Sequence, residues 1–283
     1  MGIGRRAIAA LLAAGSVRVN GRPAKKGTLV RAGDEVTIRA DPPALPPAPA
    51  TSLALLHVDA DLVAIDKPPG VPTAIGVAEV ASVASALLVA FPEMAAIDRT
   101  RTAGLVHRLD TGTSGLLIAA RNVETYARLR AAFAAKAVEK EYLALVTGRV
   151  RGPRTVDAPL ARPRRSRKRM VVARDGMRAW PARTEVDPLF GDDDVTLVRL
   201  RMRSGVTHQL RLHLASIGHP IIGDARYGDR RVAGRLGSTA EWHCLHARAV
   251  AFDARDLPAL RAPFPQHWRP LLAARAWPTD VER

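Results

Sequence analysis

The chain has 283 residues, 47% of them apolar, which suits a folded protein with a sizeable core and excludes general disorder. Its charge is unusual: 43 Lys+Arg against 27 Asp+Glu give a formal net charge of +16, a balance that favours a polyanionic partner through phosphate contacts and counterion release. Cys244 is the sole cysteine, which excludes an intrachain disulfide, and no apolar run approaches the roughly 20 residues needed to span a bilayer, so a monomeric, cytosolic chain with no membrane partner is expected.

Arginine carries most of the positive charge, lysine being confined to Lys25, Lys26, Lys67, Lys136, Lys140 and Lys168. An Arg- and Ala-rich coding bias would produce the same balance, so charge alone does not assign a partner. Residues 5–14 read as a short helix with Ile8, Leu11 and Leu12 on one face and Gly15 as its stop. Val17 and Val19 alternate with Arg18 before Asn20-Gly21, a tight-turn pair, and a further strand is expected at 36–39. Residues 41–50 hold five prolines in ten and read as a linker. The expected division is a small module over 1–41, a linker over 42–52 and a larger domain over 53–283.

Within the larger domain, 53–58 and 62–66 read as paired strands and 80–91 as a helix with Val83, Leu87 and Phe91 stacked. Residues 115–121 read as a short buried strand. Asn122 is placed to cap a helix running to about Lys136. Residues 195–203 alternate Val198, Leu200 and Met202 with Arg199, Arg201 and Arg203, which predicts one buried face and one basic face turned to solvent or ligand. Thr207 is the expected cap of a helix with Leu210, Leu214 and Ile217 inward and Gly218 at its end. Residues 162–169 (RPRRSRKR) place six basic residues in eight, ordinarily a solvated loop. Strands and helices mixed without regular alternation predict an α+β fold.

Four stretches carry candidate chemistry. His107-Arg108-Leu109-Asp110 precedes a Gly/Ser/Thr-rich turn and an apolar strand, so Asp110 either faces a cleft or caps its own turn. Lys140-Glu141-Tyr142 puts a phenol on a strand, usually a core position. Thr207-His208-Gln209-Leu210-Arg211 sets Arg211 on a helix beside an apolar face, usually a surface position. The fourth is Gly218-His219-Pro220-Ile221-Ile222-Gly223-Asp224. A metal reading of His208, His213, His219, His243, Cys244 and His246 finds no matching zinc spacing, so no metal is expected.

Taken in order, HRLDTGTSG, KPPG at 67–70, KEYLALVTG at 140–148, THQLRLH, GHPIIGD and LHA resemble the pseudouridine synthase family that includes bacterial ribosomal-RNA enzymes. The resemblance implies a catalytic domain with a mixed, mainly antiparallel sheet, no cofactor, and RNA as partner, large-subunit ribosomal RNA first. It implies Asp110 as catalytic aspartate, Tyr142 packing on the target base and Arg211 ion-pairing with Asp110. It also implies that Arg108, beside His107, is a substrate contact near the space left by the flipped uridine. Residues 15–21 and 33–36 resemble the small S4 RNA-binding module, here without its first helix, implying RNA contacts from Arg5, Arg6, Arg18, Arg22 and Lys25. Two departures are Val206, where many relatives carry a basic residue, and Val71-Pro72-Thr73, which fits the family loosely.

The chemistry suits those residues. Uridine becomes pseudouridine when the C1′–N1 bond breaks and a C1′–C5 bond forms, with no redox change. The base must first leave its stack. A carboxylate at C1′ or C2′ can serve as nucleophile or as base, and the sequence leaves both routes open. Two other readings fit less well: an RNA-binding protein without turnover, disfavoured by the intact motifs, and a glycosidase-like hydrolase, disfavoured by the lack of a second carboxylate motif.

Overall fold

The computed structural model describes residues 8, 11–12, 15–38, 53–75, 81–98, 102–163, 169–228, 241–254 and 257–278. Arg5, Arg6, the expected linker 42–52 and the basic run 164–168 lie outside them. The chain divides into two compact units, Met1–Leu45 and Pro46–Arg283.

In the small unit, Ile8, Leu11 and Leu12 are helical. Gly15, at φ 67, ends that helix, its N–H and that of Ser16 bonding back to the carbonyls of Leu12 and Leu11. Strand β1 (Val17–Val19) pairs antiparallel with β2 (Arg22–Pro23) and β3 (Val36–Ile38). Asn20 and Gly21 make the turn with positive φ at both positions. The Asn20 carboxamide then fixes where β3 arrives: its Nδ2 donates to Asp34 at 2.7 Å and its Oδ1 accepts from the Glu35 N–H at 2.8 Å.

The large unit is built on a mixed sheet. Its elements in chain order are β4 (Ala54–Val58), β5 (Leu62–Lys67), α1 (Val83–Ala90), α2 (Ala95–Asp98), β6 (Ser114–Ala120), α3 (Val123–Ala134), β7 (Val138–Thr147), β8 (Arg154–Asp157), β9 (Leu160–Ala161), β10 (Val171–Val172), β11 (Ala179–Trp180), β12 (Arg183–Gly191), β13 (Val195–Met202), α4 (Gln209–Ser216), β14 (Leu245–Phe252), β15 (Leu260–Arg261) and α5 (Arg269–Ala273). The strands order as β4-β5-β6-β14-β7-β13-β12-β8, with β15 added to β14; β9, β10 and β11 form a separate small sheet. Every pair in the large sheet is antiparallel except β6 with β14. All seven residues of β6 are buried, as a strand covered on both faces requires. Among the described residues no helix is long and apolar enough to cross a membrane.

Local chemistry moved several expected boundaries. Helix α1 starts later than residue 80 because Ser82 closes a capping box with Ser85. Asn122 does cap α3, accepting from the Thr125 N–H at 2.8 Å, but the helix stops at Ala134 and Lys136 turns to φ 58. Thr207 is not the cap of α4. That position falls to His208, at φ 58, while the Gln209 side chain accepts from the Val206 N–H at 3.2 Å. Ile217 is the half-buried C-terminal cap, and the inward face is Leu210, His213 and Leu214. The basic face of β13 is not open either: Arg201 pairs with Asp187 at 2.9 Å, Arg199 and Arg201 lie 3.7 Å from Glu141, and Arg203 pairs with Asp253 at 2.9 Å.

Candidate active site

One row across the sheet explains how distant residues meet. Gly115 of β6 lies opposite Ala247 of β14, Ala247 opposite Tyr142 of β7, and Tyr142 opposite Leu200 of β13. Gly115 makes the first step possible: a Cβ there would lie 2.2 Å from the Ala247 carbonyl oxygen, and its φ is 104. The mouth of β6, where the Asp110 turn sits, is thereby drawn beside β14 and within reach of Tyr142.

That turn is held from several sides. It is closed by its own backbone, the Thr113 N–H donating to the Asp110 carbonyl at 3.0 Å, so the Asp110 side chain is not needed as a cap. The Thr113 hydroxyl meets His243 Nε2 at 2.8 Å and the Ser114 hydroxyl meets His246 Nδ1 at 2.9 Å. Thr73 bonds both sides of Leu109, donating to its carbonyl at 2.7 Å and accepting from its N–H at 3.2 Å. The Lys67 ammonium, fully buried, donates to the carbonyls of Pro68, Val71 and Thr111 at 2.8, 2.8 and 3.0 Å. Burial pushes Lys67 down to about 7 while Asp110 and Asp66 oppose that shift; the three carbonyl acceptors use all three ammonium protons and favour the charged form. The loosely fitting stretch after Gly70 is thus what pins the Asp110 turn.

Asp110 and Arg211 form the expected pair, Arg211 Nη1 donating to Asp110 Oδ2 at 2.8 Å. Arg211 is held by a residue that sequence reasoning gave no role. Its Nε and Nη2 make a two-pronged bond to Asp224, both at 2.7 Å, and the Asp224 side chain is completely buried. Burial disfavours charge on Arg211, but the two carboxylates outweigh it and raise its pKa. Burial likewise opposes the Asp224 charge, yet the Arg211 hydrogen bonds and charge, with the N–H groups of Arg226 and Tyr227, hold it below the ordinary range. The signal was present: an acid after Ile221-Ile222-Gly223 is an acid in an apolar setting, which needs a cationic partner. Among the described residues nothing donates to Asp110 Oδ1.

Asp110, Tyr142 and Arg211 line a cleft of about 510 Å³, together with Arg108 and His107. Tyr142 is buried, and burial with the nearby Asp110 charge raises its pKa, so it stays a phenol. Arg108 is exposed at the edge. His107 is a wall: its ring stacks on Phe133 at 5.2 Å, its Nε2 accepts from the Ile118 N–H at 3.1 Å, and burial, then Lys140, takes it down to about 3. Trp180, 41% exposed, stands on the rim. Arg18, Arg22 and Lys25 are exposed on the small unit. The histidines of the last third go to separate structural bonds, and among the described residues no three metal-binding side chains converge.

The architecture is that of pseudouridylate synthase domains. Human RNA pseudouridylate synthase domain containing 1 superposes with TM-score 0.63 at 24% identity, covering 81% of this chain and 89% of its own. Human RNA pseudouridylate synthase domain containing 4 gives 0.63 at 26%, covering 78% and 92%. In sequence, residues 61–216 match the RNA pseudouridylate synthase family and residues 1–36 the S4 domain. An uncharacterized RNA pseudouridine synthase of Mycobacterium bovis is 34% identical over 89% of this chain and 82% of its own length. A ribosomal large subunit pseudouridine synthase D of Haemophilus ducreyi is 34% identical over 90% and 78%. The chain belongs to the RNA pseudouridine synthase family, enzymes that isomerise uridine in RNA, and carries an S4 domain at its N-terminus.

Proposed function

We propose that this enzyme acts in the cytosol, as a monomer, on uridines of large-subunit ribosomal RNA, with Asp110 as the carboxylate that reacts at the ribose. The observation that carries the reading is Asp110 itself: one oxygen is fixed by Arg211 at 2.8 Å, the other accepts no hydrogen bond among the described residues, and Asp110 lines the same cleft as Tyr142. Whether Asp110 attacks C1′ or removes the C2′ proton, the reaction needs an aimed carboxylate there, and the Asp110–Arg211–Asp224 chain holds one in place. Tyr142 offers a flat surface for the extruded base, and Arg108, exposed at the edge of the cleft, is the expected contact to the RNA strand. Several relatives are named ribosomal large subunit pseudouridine synthase D, which supports ribosomal RNA over transfer RNA.

Asp110→Asn is expected to abolish tritium release from C5-tritiated ribosomal RNA while leaving RNA affinity within a few fold. Turnover near wild type in that variant sinks the role given to Asp110. Mapping pseudouridines in a deletion strain against its parent names the site, and an unchanged ribosomal map sinks the substrate.

A further inference from the structure

His208 lies between Tyr227 and Asp110 and has a backbone that a histidine seldom adopts, with φ 58. Its Nδ1 is 2.9 Å from the Tyr227 hydroxyl, and its Nε2 is 3.7 Å from Asp110 Oδ2. The second distance is too long for a hydrogen bond, so Nε2 is not spent on the carboxylate. The first distance belongs to a chain whose direction can be read. The Met170 N–H donates to the Tyr227 oxygen at 3.1 Å. The phenolic proton then has two acceptors, His208 Nδ1 at 2.9 Å and the Met170 carbonyl at 3.4 Å, and the shorter contact takes it. With Nδ1 accepting, a neutral imidazole carries its proton on Nε2, the nitrogen that faces the cleft.

Around the ring stand Asp110, Asp224, Arg211, Arg226 and the Tyr227 hydroxyl. Burial is the largest influence and lowers the His208 pKa; Asp110 and Asp224 oppose it, and Arg211 and Arg226 reinforce it. The ring is neutral at physiological pH.

We propose that His208 is a catalytic residue whose Nε2–H donates a hydrogen bond to uracil O2 as the C1′–N1 bond breaks. The inference rests on Asp110 being the reacting carboxylate, because the donor's position is measured from it. When that bond breaks, its electron pair stays on the ring and spreads over N1, C2 and O2. A donor close to the carboxylate that sits against the sugar falls beside O2. His208 itself neither gains nor loses a proton: the freed base turns, C5 bonds to C1′, the C5 proton passes to water and N1 takes a proton from water, so the sum is an isomerisation. A fixed neutral donor aimed at charge that appears only in the transition state is the arrangement that lowers a barrier without tightening ground-state binding.

Two measurements test this. In the 15N spectrum of the wild-type protein at neutral pH, the imidazole resonances that vanish in His208→Gln should show Nε2 protonated and Nδ1 bare. The opposite tautomer, or a doubly protonated ring, overturns the proposal. With C5-tritiated ribosomal RNA from a deletion strain, His208→Ala should lower kcat about 100-fold, as loss of one such donor does. KM should stay within about threefold, and His208→Gln, whose amide N–H reaches the Nε2 position, should recover most of the loss. Equal losses in both variants, or a loss confined to KM, overturn the donor role. If Asp110→Asn is dead while His208→Ala turns over normally, His208 alone was misassigned. If the wild type releases no tritium, both readings fall.

Discussion

A single buried guanidinium carries two carboxylates in this cleft, and the two are not equivalent. Asp224 is enclosed and holds Arg211 through two bonds; Asp110 is half-buried and takes one. Removing charge from one partner of a buried pair leaves the other stranded, at roughly 3–5 kcal/mol. Asp224→Asn should therefore lower Tm by about 6–20 °C, at the usual 2–4 °C per kcal/mol for a unit of this size. It should also reduce turnover through a misaimed Asp110, with RNA affinity little changed. Wild-type Tm and turnover together would show that Asp224 is not the anchor. The pH dependence follows in sign. A carboxyl with a depressed folded pKa contributes stability that is complete above its ordinary value of 3.8 and is lost as pH falls through the depressed value. The wild type should lose this increment below about pH 4, whereas Asp224→Asn, already without it, should show a flatter Tm profile there.

Strands β6 and β14 are the elements on which the site depends, and their parallel contact rests on one missing side chain. Gly115→Ala would bring a Cβ to 2.2 Å from the Ala247 carbonyl and hold an L-residue at φ 104, so a loss of about 3 kcal/mol or more is expected, seen as reduced Tm and turnover. Gly152→Ala, with open space around it and no positive φ, should stay within about 0.5 kcal/mol of wild type. Equal effects at the two glycines would remove the argument. This contact also marks where sequence reading stops. Local patterns located β1, the Asn20-Gly21 turn, β5, β6 and the Asn122 cap, because periodicity and capping are properties of neighbouring residues. The motif string located Asp110, Tyr142 and Arg211. What it could not provide was partnership across the chain: Arg211 with Asp224, Thr73 with Leu109, the β13 arginines with acids on β7 and β12. Those depend on register and on which strand lies beside which. Burial alone turned Arg211 and Asp224 from ordinary polar positions into the anchor of the cleft.

Across the whole molecule, the net charge of +16 is not spread over every basic surface, since the arginines of β13 are already matched by acids. The S4 domain supplies a separate set, with Arg18, Arg22 and Lys25 exposed. A tethered second contact raises local concentration of the substrate without altering the chemistry. Deleting residues 1–50 should raise KM for long structured RNA and flatten its salt dependence, with saturated turnover almost unchanged. Identical slopes in a salt series of KM for the full and shortened chains would show that the N-terminal residues take no part in binding. The bonds that close the Asp110 turn have another meaning when the chain is considered as it is made. Thr113 and Ser114 are synthesised long before His243 and His246, which follow 130 and 132 positions later, and β14 supplies the neighbour on which β6 leans. A nascent chain that has emerged only as far as Arg211 lacks both histidine partners of that turn and the strand that lies beside β6. The full set of bonds around the turn is therefore completed only when the last long strand is in place.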